Sequence, residues 1–230
     1  MSDVTRPSIA TPNRTATWPL LAGWFAAHVA VWMVLVKYVP GDDFIDFGDL
    51  GLIGTPWVRQ FWIALLVVLA MQVAFVTWAG WWPQVLRDTP RSAPRWMYVP
   101  VALMLVLFVG MLIGRGIEDL PSSYWVGMTV TVALVGTTEE LSFRGILLVG
   151  GRHLTDERMA WLVSSVLFGL FHLPNAFFGQ DIGPTIAQVF QTAIIGSAFY
   201  CLRRVSGSLV ACIVFHAAWD WVILQSQAIP

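Results

Sequence analysis

Charge is what this sequence has least of. Only 12% of its 230 residues are charged and 57% are hydrophobic, whereas a soluble domain carries about 25% charge. With a mean hydropathy of +0.69, water is excluded as the chain's main solvent. Basic clusters are also missing. A net charge of -1 with no Lys/Arg run excludes nucleic acid as a partner, because that affinity comes mostly from neutralising phosphates. Cysteine is nearly absent: Cys201 and Cys212 both lie inside apolar stretches, where a thiol behaves as a small packing hydrophobe. There is no internal repeat, low-complexity tract or linker, so one bundle is expected.

What is present is a series of long apolar runs, at 18–38, 60–82, 97–114, 123–151, 158–176, 185–203 and 207–225. Runs of about 18 residues or more match a hydrocarbon core of roughly 30 Å. They imply an all-α polytopic transmembrane bundle of about seven to eight spans rather than a barrel. The polar segment 1–17 reads as a tail. The run that follows is too long for a signal-peptide core and stays as a span. Residues 18–119 form the N-terminal helices, and 120–225 a second, functionally richer set.

Arginine positions set the expected orientation. Arg6, Arg14, the group Arg87, Arg91 and Arg95, then Arg152 and Arg158, then Arg203 and Arg204 fall on alternate sides of the spans. The positive-inside rule assigns them, and the N-terminus, to the cytoplasm. The expected location is therefore an integral position in the plasma membrane. Seven spans would leave the C-terminus outside. Asp42, Asp43, Asp46 and Asp49 crowd the first outer loop but lack the ligand ladder and distal Glu of an EF-hand, so a solvated acidic loop is expected. Gly110 and Gly114 form a GxxxG pair in the third span, suited to close helix approach inside the bundle or between copies.

The fourth run contains Glu139, Glu140 and Arg144, then becomes apolar again. Each such charge near mid-membrane costs about 2.5–3.5 kcal/mol on insertion scales. Glu140 and Arg144 stand at i and i+4 with the acid first, the favourable order for an ion pair. Glu139 lies about 100° away around the helix and must face a different neighbour. Glu139 precedes Arg152 by thirteen residues and His172 follows Arg158 by fourteen, so both should lie about 20 Å deep at 1.5 Å per residue. His216, ten residues beyond Ser206, reaches about 15 Å on the same rise. Asp220 shares its face at i+4 and would orient or charge-pair the imidazole. His28 reads as hydrogen-bonding glue between helices, and His153 as a solvated residue of a cytoplasmic turn.

A carboxylate and imidazoles at one depth suit general-base activation of water. The cysteines sit elsewhere, and no serine lies in an elbow or triad pattern. Glu139 would activate water, His172 would help to hold it, and His216 would donate to an oxyanion. The expected reaction is hydrolysis within the membrane.

In order, Glu139-Glu140-x-x-x-Arg144, Phe168-x-x-x-His172 and His216-x-x-x-Asp220 resemble the CPBP family of intramembrane proteases, the CAAX-protease and bacteriocin-processing group. The resemblance covers roughly residues 120–225. It implies a glutamate-dependent endopeptidase without metal or other cofactor. Glu139 and His172 would activate water, and His216 with Asp220 would form an oxyanion site. An ionised Asp220 cannot donate a hydrogen bond, so it would act protonated or by orienting His216.

Three other readings use the same residues. Two histidines and a carboxylate also suit zinc, although there is no HExxH. Intramembrane Glu and His chains serve proton-coupled transport, although no inverted repeat is present. A non-catalytic immunity or scaffold protein is the third. The expected partners are the lipid bilayer and a membrane-associated peptide or protein. No residue chooses among prenylated tails, bacteriocin or pheromone peptides and sorting signals, or sets the oligomeric state. Entry is expected from the cytoplasmic side or laterally between helices.

Overall fold

The computed structural model describes residues 14–37, 51–52, 55–88, 93–114 and 120–224. Most of the 1–17 tail, the four loop aspartates, Arg6 and Arg91 lie outside the described residues.

The described elements are helices α1 (Trp18–Lys37), α2 (Pro56–Ala79), α3 (Trp82–Leu86), α4 (Tyr98–Gly114), α5 (Ser122–Glu140), α6 (Leu148–Leu154), α7 (Glu157–Leu170), α8 (Ile182–Ser206) and α9 (Leu209–Leu224). A π-helical segment, Leu141–Leu147, joins α5 to α6 without leaving helical backbone, so residues 122–154 form one rod. The molecule is an all-α membrane bundle, as its composition requires. Five segments are long and apolar enough to cross a bilayer: Trp18–Val36, Val58–Ala79, Arg95–Gly114, Glu157–Phe178 and Ile182–Ser206. The rod is not among them, its α5 part being rich in Ser, Thr and Gly and ending in two glutamates, and α9 is shorter.

Local chemistry sets the helix ends. Pro56 occupies the first turn of α2, where its missing N–H costs nothing. Gly80, at φ 72°, ends that helix in the left-handed conformation that glycine adopts freely. Asp156 caps α7 by accepting a bond from the Met159 backbone N–H at 2.8 Å. The second run therefore stops at Ala79 rather than 82, and its tail turns into the short α3. The fifth is helical only to Leu170 and not to 176. Pro174 cannot donate an intrahelical bond, and the chain continues as a 3-10 turn, Leu173–Phe178.

Burial is inverted relative to a soluble protein. The rod is the axis, with residues 141–151 all buried, and Phe143, Ile146, Trp81, Phe168 and Leu209 belong to one core cluster around it. Large apolar side chains face outward, Val106 at 68% and Ile113 at 79% exposed on α4, as lipid contact allows. Gly110 and Gly114 lie on that exposed helix, and a methyl added at either meets nothing within 4 Å. The close internal approach expected for this pair is not made.

One end of the bundle is fastened by charge. Arg152 bonds Asp88 at 3.0 Å and Glu157 at 2.6 Å, and Arg204 bonds Asp88 at 3.2 Å. The Arg203 guanidinium donates to the Gln84 carbonyl at 2.8 Å. His153 is not simply solvated. Its Nε2 pairs with Gln84 Oε1 at 2.9 Å, its ring meets Trp81 edge-on, and partial burial holds it below its ordinary pKa. A count along the chain cannot show that Gln84 and Trp81 fold over this turn.

The tightest helix contact is between α7 and α8. A methyl at Gly169 would sit 2.5 Å from the Val189 carbonyl oxygen and 2.9 Å from Ala193 Cβ. Gly169→Ala is expected to cost about 1–3 kcal/mol by overpacking, read as a lower thermal midpoint in detergent. Gly110→Ala should leave that midpoint unchanged, since its added methyl meets nothing.

Candidate active site

The rod brings Glu139, Glu140 and Arg144 to the centre of the bundle, where α7 delivers Phe168 and His172, α8 delivers Gly196 and Phe199, and α9 delivers His216 and Asp220. Arg144 donates to Glu140 Oε1 at 2.8 Å, and both side chains are fully buried. Its second terminal nitrogen donates to the Gly196 carbonyl at 3.1 Å. The guanidinium lies 4.2 Å from the Phe168 ring centroid and 5.2 Å from that of Phe199, within range of cation–π attraction. The expected i, i+4 pair is present and is bonded to α8 as well.

His216 joins the same carboxylate from α9, with Nδ1 2.8 Å from Glu140 Oε1. Its ring stacks on Phe199 at 4.9 Å. Nε2 points the other way, 3.4 Å from Asp220 Oδ2 and 3.7 Å from Glu139 Oε2. Both separations exceed the usual 2.7–3.2 Å of an N–H···O bond, so Nε2 is not committed to one acceptor. Glu139 and Glu140, adjacent in sequence, differ in access: the Glu139 side chain is 16% exposed and that of Glu140 0%.

His172 follows the last turn of α7. Its Nδ1 lies 3.0 Å from the Phe168 carbonyl oxygen, which can only accept, so Nδ1 carries a proton and the neutral ring leaves Nε2 as an acceptor. Glu139, His172, His216 and Asp220 all line one cavity of about 580 Å³, while Glu140 and Arg144 lie beneath it. Convergence of the three segments, which loop lengths alone leave open, is therefore present in the fold. Among the described residues no group of three or more His, Cys, Asp or Glu is arranged to hold a metal ion.

His28 makes the interhelical hydrogen bond expected of it, through Nδ1 to Ser142 Oγ at 3.2 Å, and also lines the cavity. Other contributors carried no sequence signal of their own. Asn175 and Gln188 line the cavity too, joined at 3.0 Å. Gly196 is detectable only in three dimensions, because an added methyl would meet Arg144 at 3.1 Å. The cavity has a direction relative to the arginine-bearing turns. Its lining runs from His28 to Val36 on α1, from Val135 to Glu139 on α5 and from His216 to Leu224 on α9. Each stretch leads away from the arginine-bearing turns.

A sequence profile described as Type II CAAX prenyl endopeptidase Rce1-like matches residues 121–222, from the cap of α5 almost to the end of α9. This stretch belongs to the CPBP family. The family is one of membrane proteases, which makes a membrane endopeptidase the general class of activity. Neither a curated protein nor a solved structure matches the chain.

The buried pair generates a stability prediction. Arg144→Met leaves the buried Glu140 carboxylate with His216 as its remaining partner and is expected to cost about 3 kcal/mol, the lower end for removal of one partner of a buried pair. Arg144→Lys should recover little, because an ammonium cannot bond Glu140 and Gly196 while stacking on two rings. The double variant Glu140→Gln, Arg144→Met should melt closer to the wild type than Arg144→Met alone, measured by thermal unfolding in detergent.

Proposed function

We propose that this chain is an intramembrane endopeptidase that hydrolyses a peptide bond of a membrane-associated peptide or protein with water activated by Glu139. The observation that carries this reading is the pairing of adjacent glutamates in different surroundings. Glu140 is fully buried and bonded to Arg144 and His216, while Glu139 is partly exposed to the cavity that also holds His172. One carboxylate is spent on structure and the other is available to water.

The charges fit a proton-transfer site. Glu139, Glu140 and Asp220 bring three acids against Arg144 and His216. With His216 doubly protonated one negative charge is left over, which a proton taken from water would neutralise. In this scheme Glu139 is the general base, and the free Nε2 of His172 accepts the second hydrogen of the same water. As hydroxide adds to the carbonyl carbon, His216 Nε2–H donates to the developing oxyanion. Asp220 holds the imidazole from one turn further along α9 and needs no proton for that role. Glu139 then returns its proton to the leaving amine, and the C–N bond breaks.

The test is cleavage of membrane-tethered peptides by purified protein in detergent, with and without a chelator. Glu139→Gln keeps the shape but not the basicity and is expected to lower kcat by about 100-fold or more, the usual contribution of a general base. Wild-type cleavage should survive chelation. Cleavage that a chelator abolishes and zinc restores would replace this mechanism with the zinc-dependent one.

A further inference from the structure

The closed end of the bundle and the direction of its cavity together define from which side a substrate arrives. Arg14, Arg87, Arg95, Arg152, Arg158, Arg203 and Arg204 stand at the ends of elements that meet around Asp88 and Glu157. The only described basic residues at the other ends of these helices are Lys37 and Arg59. No described residue from 69 to 134, from 140 to 167 or from 200 to 215 lines the cavity, so nothing described at the arginine end does. Between that end and the cavity lie the Glu140–Arg144 pair, the Phe168 and Phe199 rings against it, and the ion-pair network of Asp88. On every element that contributes, the lining proceeds from the level of the site toward the opposite face. Trp32 and Val36 on α1, Asn175 and Gln180 after α7, and Ile223 and Leu224 on α9 mark this direction.

We propose that substrate enters from the face opposite the arginine-bearing turns, which the positive-inside rule makes the extracytoplasmic face, and that it is an uncharged, extended peptide segment displayed there. The walls define that chemistry. One side carries the side-chain amides of Asn175, Gln188 and Gln191 with the Thr192 hydroxyl, and the facing side is apolar, with Trp32, Phe61 and Leu65. Amides both donate and accept, as the N–H and C=O groups of an extended strand require. Because Asn175 Nδ2 already donates to Gln188 Oε1 at 3.0 Å, the Asn175 oxygen and the Gln188 nitrogen remain to meet a peptide backbone. Among the described residues no Lys or Arg lines the cavity; the His216 imidazole is already paired with Glu140, and Glu139 and Asp220 would repel an acidic segment.

The substrate class rests on the protease reading, whereas the side of access does not. Gln188→Cys in the cavity wall and Arg158→Cys at the exposed arginine end are labelled with a membrane-impermeant maleimide in spheroplasts, before and after lysis. The wild type reports background from Cys201 and Cys212, both buried. Thr192→Cys is a second cavity probe should Gln188→Cys not accumulate. The expected result is labelling of the cavity cysteine in intact spheroplasts and of Arg158→Cys only after lysis; any other pattern overturns the proposal. One neutral reporter peptide tethered to the outer or the inner leaflet then separates the two readings. Cleavage confined to the outer tether supports both, and cleavage confined to the inner tether overturns the side of access. Correct labelling with neither tether cut leaves the side of access standing and overturns the protease assignment.

Discussion

Everything in the centre of this bundle depends on a carboxylate and a guanidinium that have no contact with solvent. Taking Glu140 and Arg144 out of water costs several kcal/mol per ion, and the pair recovers that cost only with good geometry and further hydrogen bonds. The accounting is incomplete: Glu140 Oε2 and Arg144 Nε have no hydrogen-bond partner. Apolar side chains of the same volume would serve stability as well, so the pair is better understood as a fixture. Through the Gly196 carbonyl it ties the rod to α8, and through His216 it ties the rod to α9. Glu139 is the next residue on the same backbone, so locking Glu140 against two neighbouring helices also sets where Glu139 points.

The parts of this site legible in the sequence are those that repeat along one helix. The i, i+4 spacing of Glu140 and Arg144, and of His216 and Asp220, translates directly into contacts of 2.8 and 3.4 Å. Hydropathy is equally direct, since a run of apolar residues long enough to span carries its own evidence. Contacts between helices are a different matter. Nothing in the chain near His153 announces Gln84, sixty-nine residues away, and nothing near His28 announces Ser142. The GxxxG pair shows the limit from the other direction, because small residues permit close approach without supplying a neighbour. The π-helical segment has no periodic signature either, since it departs from the α-helix by hydrogen-bond register and not by composition.

That segment also explains why the two N-terminal helices matter to a site whose family motifs all lie beyond residue 120. Gln72 of α2 donates to the Thr138 carbonyl at 2.9 Å and to Ser142 Oγ at 2.7 Å. Ser142 in turn donates to the Thr138 carbonyl at 2.8 Å. Its remaining lone pair is available to the His28 Nδ1–H of α1, a set of four bonds that uses the hydroxyl completely. Widened π turns weaken the regular ladder, and this network fastens the rod on the side away from α8 and α9. The catalytic-motif stretch is therefore held between two sets of helices, and the N-terminal set also supplies the apolar wall of the cavity through Trp32, Phe61 and Leu65.

A hydrolase inside a membrane must admit water to one carboxylate while denying it a path through the bilayer. Both needs are met by stacking the layers in one order along the rod. The charged network around Asp88 closes one end, the aromatic-flanked ion pair lies next, and Glu139 with the imidazoles forms the floor of the open cavity. Because the Glu140–Arg144 layer is fully buried and bonded to α8 and α9, and the layer below it joins Asp88, Arg152, Glu157 and Arg204, opening a route through them would break several charge-assisted bonds at once. Among the described residues the cavity side combines amides, hydroxyls and apolar rings, joined by neutral hydrogen bonds such as that of Asn175 to Gln188 at 3.0 Å. In the proposed scheme the side of the site that can yield is thus set by where the strong bonds are, and the proposed direction of substrate entry follows from the same pair that orients Glu139.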